Sequence, residues 1–301
     1  MAKHDDAAQK TAFITGANIG QANLLVKALS KRGWRVFAGV LPGAPTDLVT
    51  GGNIVVVDQD VSNGESVTAS AKVVTDALAG KGLDLLMNVA GVANVGVGVL
   101  EGAKFSDVER LFNINMFGQL RVIQAFLPLV RRNAPGSRIA NYSSGAILAN
   151  PVGAGAYNMS KHAIHGMTLT LRHELAPFGI QVTSIIPGGV LTAMSANSHA
   201  NTQRTWGEQP AAVREVYDPY LQKVVTQVLP DMLEKTGSSP EQALDGTLKI
   251  LDKKKWAPME YLGKDVKPMG LMRRLMSDSQ LESMMRMTFK IPTYKSLGKG
   301  A

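Results

Sequence analysis

Tyr157 and Lys161 stand four residues apart in Ala156-Tyr-Asn-Met-Ser-Lys161, thirteen residues after Ser144. On a helix, positions i and i+4 share a face, so the phenol and the ammonium can point into one site. A nearby cation stabilises a phenolate, which lowers the tyrosine pKa and suits it to general acid/base work near neutral pH. A serine hydroxyl beside them can hold a substrate oxygen and stabilise charge developing on it. The chemistry on offer is proton transfer at an alcohol or carbonyl oxygen. Taken alone, the pair is equally consistent with a packed helical tyrosine.

The surrounding sequence supplies elements that would position these residues. Strand-like apolar runs fall at 11–15, 35–40, 53–58, 83–88, 137–143 and 180–186, and helical patterns at 18–32, 63–79, 106–131 and 155–176. This alternation predicts an α/β fold with a Rossmann-type, doubly wound parallel sheet. Residues 191–236 break the rhythm, polar and irregular at first and helical from about 210. Such an insertion beyond a strand's C-terminal end is where a lid over a site would lie. A helix over 238–253 and a strand over 256–262, weakened by Pro258, complete one domain, 1–262, followed by an extension over 263–301.

Directly after the first strand comes Thr15-Gly-Ala-Asn-Ile-Gly20, leading into a helix. A strand, a glycine turn and a helix N-terminus make a pyrophosphate site, because glycine lets the backbone approach and the helix end offers N–H groups. The Gly-x-x-x-Gly spacing differs from the common Gly-x-Gly-x-x-Gly pattern. Further residues fall at the C-terminal ends of strands, where open α/β sheets bind ligands. Asp60-Val61 follows the third strand, with a carboxylate placed to accept an adenine amino group. Asn88-Val-Ala-Gly91 follows the fourth, Ser144 the fifth, and Pro187-Gly188 with Thr192 the sixth.

In order along the chain, Thr15-Gly16-x-x-x-Gly20, Asp60, Asn88-x-Ala90-Gly91, Asn115, Ser144, Tyr157-x-x-x-Lys161 and Pro187-Gly188 resemble the short-chain dehydrogenase/reductase family, single-domain type. Residues 33–41 and 157–166 resemble the branch of retinol, 17β-hydroxysteroid and 3-hydroxybutyrate dehydrogenases. The resemblance implies a catalytic set of Asn115, Ser144, Tyr157 and Lys161. Tyr157 would exchange the proton, Ser144 would hold the substrate oxygen, and Lys161 would also meet the nicotinamide ribose. Asn115 would hold a relay water, or make a helix-kink hydrogen bond. Cofactor contacts are expected at Gly16, Asn18, Ile19, Gly20, Leu41, Asp60, Val61, Asn88, Ala90, Gly91, Tyr157, Lys161, Pro187, Gly188, Val190 and Thr192. The family's third glycine is Ala22 here. The second strand ends in Val40-Leu41, with neither an acid for an adenosine ribose nor a base for a 2′-phosphate. Asn18 is neutral where the retinol branch often has an acid, and Ile19 is not basic. The cofactor is therefore NAD or NADP, leaning to NAD.

Substrate contacts are expected at Ser144, Ala146, Gly153, Tyr157, Met194 and Trp206. The small and apolar residues of 145–148 and 153–156 leave room for a bulky apolar alcohol or ketone: a steroid, retinoid, aryl or alkyl compound. Tyr217 and Tyr220 either line the lid or form its core. A small hydroxy acid would instead need a cation, for which Arg204 and Lys223 are candidates. An epimerase or dehydratase on this fold would show a longer substrate domain. A nucleotide-sensing scaffold would lack part of the catalytic set.

The chain has 301 residues, 45% hydrophobic and 19% charged, and no cysteine. That excludes disulfides, thiolate catalysis and cysteine-ligated zinc. His162, His165 and His173 offer no third ligand by spacing, so no metal is expected. A polar start without an apolar core, and the lack of a run of about 18 apolar residues, predict a cytoplasmic protein. The charge is uneven. Residues 253–301 hold 11 Lys/Arg against 4 Asp/Glu, so this tail carries +7 of the chain's +8. Its Met269, Met272 and Met276 recur at helical spacing. Packing on its own domain or a second subunit, a substrate-entrance wall, and peripheral contact with a membrane are the readings for it. A homodimer or homotetramer is expected, with no nucleic acid partner.

Overall fold

Apolar runs that do not alternate with polar residues have to be covered on both faces. The structure, a computed structural model, describes residues 9–93, 95, 97–191 and 198–293. Its strands are β1 (Thr11–Ile14), β2 (Arg35–Val40), β3 (Ile54–Asp58), β4 (Leu85–Asn88), β5 (Arg138–Tyr142), β6 (Gln181–Pro187) and β7 (Met259–Leu262). All pair in parallel in the order β3-β2-β1-β4-β5-β6-β7. The order reverses between β1 and β4, which opens a crevice at the C-terminal ends of these two strands.

The helices are α1 (Gly20–Lys31), α2 (Gly64–Leu78), α3 (Phe105–Phe112), α4 (Gly118–Arg132), α5 (Ala146–Ala149), α6 (Gly155–Leu175), α7 (Ser198–Gly207), α8 (Ala211–Tyr217), α9 (Leu229–Thr236), α10 (Pro240–Leu251), α11 (Val266–Leu275) and α12 (Asp278–Thr288). One sheet face is covered by Leu25 and Leu29 of α1 and Ala243 and Ile250 of α10. The other is covered by Val74 of α2, Phe126 of α4 and Leu175 of α6. Between α3 and α4 the backbone widens into a π-helical segment, Asn113–Phe117. Pro258 does not prevent β7. It lies just ahead of the strand, and its carbonyl accepts the Ser184 N–H at 3.0 Å.

The insertion after β6 has its own small core of Trp206 and Val225 packed on Val99. Here α7 forms where an irregular stretch was expected. It has no apolar stripe to betray it, since only Thr205 and Trp206 at its end are buried. Its start is tied to α9 by His199, whose Nε2 lies 3.3 Å from both Asp231 and Glu234. Beyond β7, α11 packs back on the domain, with Val266 against Ile147, Leu148 and Ile186. Leu271, Leu275 and Met287 of the extension remain exposed. Among the described residues, no helix is long and apolar enough to cross a membrane.

Candidate active site

The glycine turn is built from both ends. Gly16 adopts φ +68°, a conformation that favours glycine. A Cβ there would lie 2.7 Å from Ala90 Cα. Thr15 Oγ1 accepts the N–H groups of Val89 and Ala90 at 3.0 Å each, which locks the turn after β4 to the turn after β1. Gly20, at φ +68°, opens α1, whose N-cap Ile19 makes no side-chain cap. The first N–H groups of α1 are thus left to a ligand, and the side-chain-free cradle fits a pyrophosphate. Ala22, in place of a third glycine, is buried in the core.

The nucleoside side is formed by the end of β2. Asn18 Oδ1 accepts the Leu41 N–H at 2.7 Å, and its Nδ2 donates to the carbonyls of Leu41 and Ala44. Leu41 and Ile19 stay exposed. Asp60 Oδ1 accepts from the Ser62 N–H and hydroxyl, which orients the carboxylate, beside buried Val61.

Asn88 was expected to meet the cofactor, but its side chain is turned into the protein. It is fully buried, and its Nδ2 donates to Asn141 Oδ1 at 2.9 Å, while Asn141 donates to Thr168 of α6. Alternating side-chain direction along β4 puts it there. Gly91, by contrast, faces the site. A Cβ on it would meet Asn115 Oδ1 at 3.1 Å and Lys161 Nζ at 3.6 Å.

Tyr157 and Lys161 share one face of α6, and Lys161 Nζ lies 5.5 Å from the Tyr157 ring centre. Lys161 is buried, with Nζ donating to the Tyr142 carbonyl at 3.1 Å. Ser143 Oγ donates to the Lys161 carbonyl, which pins α6 to the end of β5. The Tyr157 phenol faces Ser144, whose side chain acts on its ionisation, and Ser144 Oγ accepts the Ala146 N–H at 3.1 Å. The three residues therefore converge. Burial pushes the Lys161 ammonium down to about 8. Burial also raises the Tyr157 phenol, against a smaller opposing effect from Ser144. The expected lowering of the tyrosine pKa by Lys161 does not set its direction in this structure, where desolvation dominates and the opposing effect comes from Ser144.

Asn115 is fully buried in the π-helical segment. Its Oδ1 accepts the Val92 N–H, and its Nδ2 donates to the Val92 carbonyl and to Ser160 of α6. Both ends of the amide are committed, so the side chain joins three elements. A relay water would have to use the backbone at this position.

On the substrate side, Ala146 is buried beside Ser144. Gly153, at φ +78°, leaves space for the lid, since a Cβ would lie 2.6 Å from Val225. Trp206 does not line an open site. It is buried in the lid's core with its indole N–H donated to Asp218 at 2.7 Å. Arg204 pairs with Glu208 at 2.6 Å, and Lys223 is exposed. Thr192 and Met194 lie outside the described residues. His162 and His165 bond Asn150 and Ser184, respectively.

Pro187 O accepts the Gly145 N–H at 2.7 Å, and the Gly188 N–H donates to Leu262 O. The chain then turns through Val190, which bridges to Ser238. The turn is met by a residue that sequence reasoning missed, Asp265, whose Oδ2 accepts the Gly189 N–H at 2.9 Å. The one signal in the sequence is the run of Gly188 and Gly189 beyond the proline.

A family model described as short chain dehydrogenase matches residues 10–203. Among curated proteins, retinol dehydrogenase 7 of Mus musculus is 34% identical over 215 residues, 69% of this chain and 66% of that protein. The 17-beta-hydroxysteroid dehydrogenase type 6 of Bos taurus is 34% identical over 214 residues, with the same shares. The match thus spans just under two thirds of these relatives. Among solved structures, a short chain dehydrogenase from Burkholderia cenocepacia in complex with NADP has a TM-score of 0.70 at 26% identity, covering 94% of this chain and 98% of that one. One from Burkholderia phymatum in complex with NAD has a TM-score of 0.69 at 23% identity, covering 92% and 95%, a likeness of fold.

Proposed function

The chain belongs to the short-chain dehydrogenase family, and on that premise we propose that it interconverts an alcohol and its ketone or aldehyde with a nicotinamide cofactor. The observation that carries this is the convergence of Ser144, Tyr157 and Lys161 beside the Gly16–Gly20 cradle. Gly16, Gly20, Ala90, Gly91 and the free N–H groups of α1 would hold the dinucleotide. The cofactor would supply hydride exchange at the carbinol carbon. Ser144 holds the substrate oxygen, and Tyr157 takes its proton in oxidation or gives one in reduction. Lys161 places a positive charge next to the tyrosine, which favours the phenolate once the proton has left. Asn115 fixes the Val92 loop against α6, and its backbone is the place for a relay water.

Two finer readings have support. NAD is favoured over NADP because Leu41 follows β2 and Asn18 is spent on it, so neither offers a cation to a 2′-phosphate. A bulky apolar substrate is favoured because Ala146 beside Ser144 is small and apolar and the candidate cation Arg204 is neutralised by Glu208. The names of the relatives, a retinol and a steroid dehydrogenase, agree with it. Self-association through α4 and α6 is supported by exposed Met159 and Leu169 on α6, with exposed Phe117 just ahead of α4. Light scattering on the purified chain tests it.

The decisive experiment follows nicotinamide absorbance with retinoid, steroid, aryl and alkyl alcohols and carbonyls, and with small hydroxy acids, using both cofactors. Turnover of an apolar substrate is the expected result. Turnover of hydroxy acids alone would replace the substrate reading, and no turnover together with no cofactor binding would overturn the enzymatic one.

A further inference from the structure

The turn after β6 is fastened by the extension rather than by the sheet alone. Asp265 lies just ahead of α11, and its Oδ2 accepts the Gly189 N–H at 2.9 Å. Its other oxygen, Oδ1, is buried and has no hydrogen-bond partner among the described residues. Backbone closes around it. A Cβ on Gly188 would lie 1.9 Å from Oδ1, and one on Gly263 would lie 2.6 Å from it. The next residue, Val266, would stand 2.6 Å from a Cβ on Gly145, the neighbour of Ser144. Asp265 and Val266 thus wedge between the Pro187–Gly189 turn and the Ser144 loop. A buried carboxylate oxygen without a donor forfeits its hydration, and such an atom asks for a reason. Nothing in the proton chemistry above uses it.

We propose that Asp265 is a positioning residue for the nicotinamide end of the cofactor, fixing the Pro187–Gly189 turn and setting a negative charge behind it. This rests on the nicotinamide reading of the crevice. An oxidised nicotinamide ring is cationic and a reduced one is neutral. A fixed carboxylate behind the turn stabilises the cationic ring and leaves the neutral ring nearly unaffected, most strongly where water is excluded. The extension thereby biases the site towards the cofactor form that accepts hydride from an alcohol.

The test measures Kd for the oxidised and reduced forms of NAD and NADP, by calorimetry and by nicotinamide fluorescence, on the full chain and on Asp265→Asn. Asparagine keeps the shape and an acceptor for the Gly189 N–H but removes the charge. Kd for the oxidised form is expected to rise about fivefold or more, with a change under about twofold for the reduced form. Equal changes in both forms, or none in either, would overturn the proposal and leave Asp265 a simple clamp. If Asp265→Asn does not fold, Asp265→Ser, short and neutral, takes its place in the same comparison. Failure of the unmodified chain to bind either form would instead overturn the nicotinamide reading, a separate result.

Discussion

Asn18 grips Leu41 at both ends of one peptide unit's reach, accepting its N–H at 2.7 Å and donating to its carbonyl at 3.2 Å. The glycine turn after β1 and the end of β2 therefore move as one piece. In Asn18→Ala both of these part-buried bonds go. A loss of about 1–3 kcal/mol in stability is expected, together with weaker cofactor binding. Denaturant titration and a binding isotherm check this; an unchanged midpoint and Kd would show that the grip is incidental.

Tyr157→Phe removes the proton donor while keeping the ring. Turnover is expected to fall by at least about a hundredfold, with cofactor affinity preserved. Near-normal activity would sink the proposed chemistry.

Lys161 gives the stability a pH signature. Its folded pKa is about 8 against an ordinary 10.5, so the unfolded chain binds more protons across that interval. Stability should therefore rise as pH goes from 8 towards 10.5, by on the order of 1–3 kcal/mol. The raised phenols of Tyr142 and Tyr157 pull the other way only above about pH 10. Urea unfolding at pH 7.5 and 9.5 should show the rise in the natural chain and lose it in Lys161→Met.

Gly16→Ala would force a left-handed φ on a residue with a side chain and set its Cβ 2.7 Å from Ala90. A cost of at least about 1–2 kcal/mol is expected, with loss of cofactor binding as the cradle fills. A thermal melt with and without cofactor reads both effects.

Ending the chain at Gly263 would remove Val266 from its cluster with Ile147, Leu148 and Ile186. Burial of such a side chain contributes about 1.5–3 kcal/mol, so the truncated chain should unfold at lower denaturant. A midpoint equal to that of the full chain would show that the extension does not stabilise the domain. Loss of binding to anionic vesicles on truncation, with full-chain binding present, would give the exposed Leu271, Leu275 and Met287 a membrane role.

The sheet, its winding and the chemistry-bearing positions are legible in the sequence because they rest on local periods. Four-residue spacing puts Tyr157 and Lys161 on one face, and glycine before a helix marks the cradle at Gly16 and Gly20. Burial and distant contact are not local. Asn88 stands at the crevice end of β4, but the pleat turns its side chain to Asn141, which leaves only its backbone for a cofactor. Trp206 looks like a pocket wall until the lid closes its own core around it. The pKa order of Lys161 and Tyr157 depends on exclusion of water, which no spacing encodes. The meeting of Gly189 with Asp265 spans 76 residues, and only the return of α11 across β7 brings that carboxylate to the turn.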